Sequence, residues 1–435
     1  MINNQQSIKQ YKIFFLKPAQ GFCFYLIAFN LLWAYFADSP LSATFSLACI
    51  AMFGFMVVNI FLNGTRPVKS TTWLGYEGFI AWCSVMIGVY GTIYSPHSVV
   101  SFLFFSMDGA AIFFVRVFVS VLPCMVFVDF DEYTIDKKAK IAIFAILITS
   151  VYFTSKAVAT NPDALRARGT MEYLGLEEIL VGTPGYAMTY AFSLLIPSFL
   201  HKCFIAKEKN TKIFYGIGTA MLSYIVVVAQ YATALLIAII GILVYLLIAS
   251  KPKNRVYIII ATLAIVFVLN LTGGVSGILD TLSKHVEGTW AIKLKDIALT
   301  LEGKQDSGSV SSRADHYNES LATFLQSPIF GKYTKDTGSI GGHATAIDVL
   351  GLTGIVGFIF MAASVYGNFA RMKNHPSYKT SKPAVIACMV QFIALIFSKN
   401  IVTSMAIFFA FYVLNPLLLK SKESEENEFD KENSI

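Results

Sequence analysis

The sequence predicts an all-α polytopic membrane protein of about twelve transmembrane helices, with one large outer loop between the ninth and the tenth. Three observations carry this. Apolar runs of roughly 20 residues, the length that spans a hydrocarbon core, recur from end to end. Only 14% of the 435 residues are charged, where a soluble domain carries about 25%. Lys and Arg fall in short clusters between the runs, which is how topology is encoded. A transmembrane β-barrel is excluded, because its strands alternate over only about 10 residues. The net charge of +7 is spread over those clusters and does not point to nucleic acid.

The twelve helices are expected at 20–37, 41–62, 72–94, 109–129, 140–158, 180–200, 213–229, 231–250, 256–272, 346–368, 383–398 and 401–418. Residues 96–108 read as an interfacial segment before the fourth. The polar start MINNQQSIKQYKIFFLK is too long for a signal peptide and no small-residue cleavage site follows, so the first run reads as an uncleaved helix. With the N-terminus inside, the cytoplasmic segments hold Lys9, Lys12, Lys17; Arg66, Lys69; Lys137, Lys138, Lys140; Lys202, Lys207, Lys209, Lys212; Lys251, Lys253, Arg255; Arg371, Lys373, Lys379, Lys382; and Lys420, Lys422, Lys431. That is 22 of the 34 basic residues, a consistent inside bias. Splitting 98–129 into two helices would turn every later basic cluster outward, and is rejected for that reason.

Four parts follow. Residues 1–272 carry helices one to nine, with an outer loop at 159–179; 273–345 form the large outer loop; 346–418 carry helices ten to twelve; 419–435 are a charged, disordered cytoplasmic tail. The six cysteines lie in apolar runs or at a cytoplasmic edge, none in the large loop. There is no CxxC, and neither a disulfide staple for the loop nor a structural zinc site is expected.

Two amphipathic helices are expected in the large loop. Over 275–301, Val275, Leu279, Leu282, Val286, Leu294, Ile297 and Leu301 recur at helical spacing. After the linker GKQDSGSVS, Ser312-Arg313-Ala314-Asp315 resembles a capping box. The helix it opens runs to Ser327 and stops at Pro328, with Tyr317, Leu321 and Phe324 as its buried face. His343 then lies at or just before the start of the tenth helix.

The series Arg313, Ser327-Pro328 with Gly331, Gly342-His343, Asp348, Leu350-Gly351 and Gly354-Ile355-Val356-Gly357 resembles the periplasmic loop signature of the O-antigen polymerase and ligase superfamily. The twelve-helix layout extends the resemblance along the chain. It implies a multi-pass enzyme of the bacterial inner membrane, its large loop periplasmic. The implied reaction transfers a saccharide from undecaprenyl diphosphate to an acceptor hydroxyl, with no cofactor and no metal. The implied partners are the undecaprenyl-diphosphate-linked oligosaccharide, membrane lipid and a chain-length regulator protein. The chain departs from the pattern at Ala229-Gln230-Tyr231-Ala232-Thr233, where many members carry an Arg; a basic group must come from elsewhere. Ala344 follows His343 where ligase-like members often carry Asn, and GGHxxxxD is more similar to polymerases. Polymerisation of repeat units is therefore expected. Ligation of finished polymer to lipid A core is the alternative, and a lipid-linked oligosaccharide flippase is the non-enzyme rival. A flippase needs a charged central cavity, and this chain has few midplane charges.

The donor of such a reaction is already activated, so catalysis needs charge stabilisation at the leaving diphosphate and a base for the hydroxyl. Arg313 suits the first task, since a guanidinium stays protonated and grips phosphate oxygens with a fork of donors. Arg166 and Arg168 sit in the other outer loop against the charge trend and are expected to bind substrate. His343 suits the second task, because a helix N-terminus disfavours a cation there and leaves a neutral imidazole. Asp348, five residues on, points about 140° away on an ideal helix and is expected to bind an arginine or the acceptor sugar; Tyr317 is a further substrate contact. The other five histidines, His97, His201, His285, His316 and His375, take no role. Asp129-Phe130-Asp131 resembles a metal-binding DxD but lies beside Lys137 and Lys138, and reads as a solvated helix end.

Overall fold

The computed structural model describes residues 16–33, 137–161, 164–165, 180–251, 254–257, 274–285, 311–332, 340–374, 377–401 and 404–419, with single residues inside 50–85 and 291–299. These residues are nearly all helical and include no strand. The elements are α1 (Lys17–Leu32), α2 (Lys137–Thr160), α3 (Tyr186–Ile205), α4 (Lys209–Val228), α5 (Ala232–Ala249), α6 (Gly274–Ser283), α7 (Ser311–Gln326), α8 (Thr345–Asn374), α9 (Tyr378–Ser398) and α10 (Met405–Leu419). Among the described residues, six helices are long and apolar enough to cross a membrane: α2 from Lys140, α3, α4, α5, α8 and α9. This is a multi-pass membrane protein. The expected spans 109–129 and 256–272, the interfacial segment 96–108, the DxD and the tail lie wholly or mainly outside the described residues.

Where helices are described, hydropathy locates them but misplaces their ends. α3 starts at Tyr186 rather than 180, because Gly182 at φ +78° and an extended Gly185 hold a turn there. α4 starts four residues early at Lys209; the Glu208 carbonyl accepts the Lys212 N–H, and the Glu208 carboxylate accepts the Thr211 hydroxyl. Polar first turns of this kind extend a helix past the apolar run. The expected helix over 275–301 is interrupted. α6 stops at Ser283 and the chain turns at 284–285. There the Ser283 hydroxyl bonds the Asp280 carbonyl and the His285 ring bonds the Thr281 carbonyl, local bonds that compete with helix continuation.

α3 is the centre. It is the least apolar of the six spans and the most buried, at 67% of its apolar window against 28% for α4 and for α5. A helix that faces protein instead of lipid has no need of a uniformly apolar surface. Phe192, Leu194, Leu195, Ile196 and Phe199 are sealed inside, packed with residues of α4, α5, α9 and α10.

Two prolines break the backbone ladder inside this core, and each loss is made good from a neighbouring helix. Pro197 has no N–H for the Ser193 carbonyl four residues back. The Gln391 amide of α9 donates to that carbonyl at 3.1 Å and to Ile237 O of α5 at 2.9 Å. Gly241 makes room, since a Cβ there would meet the Gln391 side chain. Pro416 likewise has no N–H for the Tyr412 carbonyl four residues back, beside a π-helical turn Ala410–Leu414, and Arg371 of α8 donates to that carbonyl at 2.8 Å. An orphaned buried carbonyl costs about 1–3 kcal/mol, so each side chain stabilises a helix whose ladder the proline interrupts.

Candidate functional site

α8 is two helices. At Gly354 the backbone takes φ +64°, ψ −169°, a region open in practice only to glycine. The break would leave several buried peptide groups unpaired. Residues 327–332 fill the gap. Ile355 N–H donates to Pro328 O at 2.9 Å, Val356 N–H to Ile329 O, and Lys332 N–H to Gly351 O at 2.9 Å. Trp82 Nε1 donates to Thr353 O at 2.9 Å, and its ring stacks on Phe330. Gly331 and Gly354 touch backbone to backbone: a Cβ on Gly354 would lie 2.6 Å from Gly331 N. The Pro-Gly turn and the glycine-rich helix of the sequence signature are thus two halves of one joint.

Above the joint, α7 lies against the first half of α8. The contact face is not the expected apolar one. Ser320 and Thr323 are buried, whereas Leu321 is 46% exposed and Leu325 69%. The reason is closeness. A Cβ on Gly351 would stand 2.8 Å from Ser320 O, and only small side chains allow that approach. Of the expected stripe, Leu321 is exposed while Tyr317 and Phe324 are half-buried.

Asp348 locks the two helices. It is 1% exposed. Its Oδ1 accepts the Ser320 hydroxyl at 2.7 Å, and its Oδ2 accepts Ala344 N–H and the Asn400 amide, each at 3.2 Å. The Gly342 N–H also bonds this carboxylate. Ser320 Oγ in turn accepts Gly341 N–H at 3.0 Å. The peptide groups on both sides of His343 are therefore tied to one buried carboxylate. Gly342 has φ +69°, and the bend it permits turns the His343 ring onto α7. There it packs on the His316 ring, with centroids 4.3 Å apart and planes tilted by 31°. Glu319 Oε2 lies 3.3 Å from His316 Nδ1.

A second group of residues meets the start of α8 from the other side. The Lys399 carbonyl accepts both the N–H and the hydroxyl of Thr345, at 3.0 Å each, and the Thr345 hydroxyl accepts Ile401 N–H at 2.7 Å. Lys399 Nζ stands 5.7 Å from the centre of the Tyr186 ring. Tyr186 meets Tyr231 edge to face, and the Tyr231 hydroxyl donates to Leu165 O at 2.9 Å. The starts of α3, α5 and α8 and the end of α9 thus share one end of the bundle, together with Leu165 of the 159–179 segment.

Of the residues singled out by sequence, His343 and Asp348 come together on one turn. Tyr317 is half-buried on α7 next to His316. Arg313 falls in the first turn of α7, its side chain outside the described residues, as are Arg166 and Arg168. Sequence reasoning missed four residues of this site. His316, Ser320 and Asn400 carry no spacing signal, since their partners lie far away in the chain. Lys399 does carry one: it is a basic residue in a loop that the charge pattern predicts outside, and it stands over Tyr186, the ring that packs on Tyr231, where the expected arginine is missing.

A family model described as O-Antigen ligase matches residues 217–362. The match runs from within α4 into the second half of α8 and takes in α7, His343, Asp348 and the Gly354 joint. The resemblance to the O-antigen polymerase and ligase superfamily is shown over that stretch, and it indicates a membrane enzyme of ligase or polymerase type. No curated protein matches the chain.

Proposed function

We propose that this protein is a glycosyltransferase of the bacterial inner membrane that polymerises undecaprenyl-diphosphate-linked repeat units into O-antigen or a related surface polysaccharide on the periplasmic face. The observation that carries the reading is the hold on His343. A histidine at the start of a broken helix, pinned through Asp348 and Ser320 against the helix that bears Arg313, is a base with a fixed position.

In the proposed step the acceptor hydroxyl oxygen attacks the anomeric carbon of the donor. The bond from that carbon to the diphosphate oxygen breaks, and undecaprenyl diphosphate leaves with the bonding pair. His343 takes the hydroxyl proton. Arg313 faces the growing charge of the leaving group, where a bidentate guanidinium is strongest. Arg166 and Arg168 hold the donor from the other outer loop. Lys399 supplies the cation that the Gln230-Tyr231 corner lacks, and Tyr317 lies along the substrate path. Asp348 acts through the backbone around His343 and does not touch substrate. The step needs no metal. The family description names a ligase, so transfer of finished polymer to lipid A core is the second reading; it shares donor and site and differs in acceptor.

The lipopolysaccharide gel pattern of a deletion strain separates the two. A single repeat unit on core is expected, as for loss of a polymerase. Bare core with polymer left on the lipid carrier would make the protein a ligase, and an unchanged ladder would overturn both readings. Complementation with Arg313→Lys should remain poor, because a point charge does not replace a fork of donors.

A further inference from the structure

We propose that His316 is a positioning residue for His343, its ring being the surface that fixes the His343 imidazole for proton transfer. The proposal rests on the reading of His343 as the base. Three features of the structure carry it. The two rings are in contact, with centroids 4.3 Å apart and planes 31° from parallel. The backbone on either side is held for that contact: a Cβ on Gly341 would clash with the His316 carbonyl, and Gly341 N–H is tied to Ser320, one turn along α7 from His316. His316 is itself oriented, since its Nδ1 faces Glu319 Oε2 at 3.3 Å. A carboxylate beside Nδ1 suits a ring that donates from that nitrogen, so the contact orients the His316 ring.

The pair is also reachable. The side chains of His316 and Glu319 are 34% and 47% exposed, so a substrate can come up to this face. A metal-ion role for the same groups is not favoured: among the described residues no three His, Cys, Asp or Glu side chains converge as a metal site. Backbone bonds through Asp348 set where the His343 Cα stands, and the His316 ring lies against one face of its imidazole, limiting its tilt. Such control matters because a misplacement of about 1 Å in a catalytic group costs on the order of 10²-fold in rate.

The test uses the full chain purified in lipid nanodiscs, with a lipid-linked repeat unit as donor and acceptor. His316→Ala is expected to lower kcat by roughly 10- to 100-fold with KM and thermal midpoint close to the parent, while His316→Phe, which keeps a flat ring, recovers most of the rate. In a His343→Ala background, His316→Ala should remove nothing further. A readout free of turnover is the rate at which diethyl pyrocarbonate modifies His343, followed by mass spectrometry; it should change several-fold in His316→Ala and little in His316→Phe. Parental kcat in His316→Ala, a loss that His316→Phe does not recover, or an unchanged modification rate would each overturn the proposal. If the parent protein itself fails to elongate lipid-linked repeats, the polymerase reading falls, and the modification rate still decides whether His316 holds the ring of His343.

Discussion

Asp348 and His343 sit five residues apart and are expected to fail in different ways when replaced. Asp348→Ala would leave the Ser320 hydroxyl, the Asn400 amide and the N–H groups of Ala344 and Gly342 without their acceptor. Leaving a buried polar group unsatisfied costs about 1–3 kcal/mol, so stability in detergent should fall together with activity. Asp348→Asn keeps an acceptor oxygen and should lose less. Thermal unfolding followed by tryptophan fluorescence, alongside turnover, checks this; lost activity at parental stability would put Asp348 on the substrate instead. From sequence alone Asp348 reads as a substrate or arginine contact, because an intramembrane carboxylate needs a partner. Its partners Ser320 and Asn400 lie 28 and 52 residues away, and no spacing rule reaches that far.

At the scale of the element, the decisive feature is the break in α8. The apolar run around it predicts one helix over 346–368, and helical residues do run from 345 to 374, but on the two sides of a break at Gly354. The glycines within it are legible as sequence, but their purpose is not. Gly354 breaks the helix because Pro328 and Ile329 offer it carbonyls, and because Gly331 has no side chain to keep it away. Gly354→Ala would force a Cβ into a positive-φ conformation and against the Ile329 carbonyl. The expected loss is about 3 kcal/mol or more, seen as poor yield of folded protein in size-exclusion chromatography. A monodisperse, fully stable Gly354→Ala protein would mean that the joint straightens without cost. α7 gives the converse lesson. Its Tyr317, Leu321 and Phe324 stripe reads as a core face by the rule for soluble helices, yet small polar Ser320 and Thr323 make the contact. Close approach of two backbones rewards small residues over apolar ones.

At the scale of the whole molecule, one end of the bundle gathers the start of α8, the end of α9 and the corner of α3 and α5. The Lys and Arg pattern predicts that this end faces outward. A Ser309→Cys protein should accordingly react with an impermeant thiol reagent in intact cells whose outer membrane has been made permeable. Labelling only after lysis would reverse the orientation, and with it the proposed use of a periplasmic donor.

The amino-acid sequence by itself determined the membrane class, the positions of α2 to α5 and α8 to α10 to within about six residues, and the family resemblance that the match over 217–362 bears out. Those follow from local quantities: run length, charge clusters, and motif spacing along one chain segment. Only the tertiary structure decided that α8 is broken, that Asp348 is a clamp, that His343 rests on His316, and that Lys399 reaches the Tyr186 ring. Each of these is a contact between segments far apart in the chain. Its energy comes from satisfying a backbone group or covering a ring that another helix has left open, so it exists only once the helices have packed.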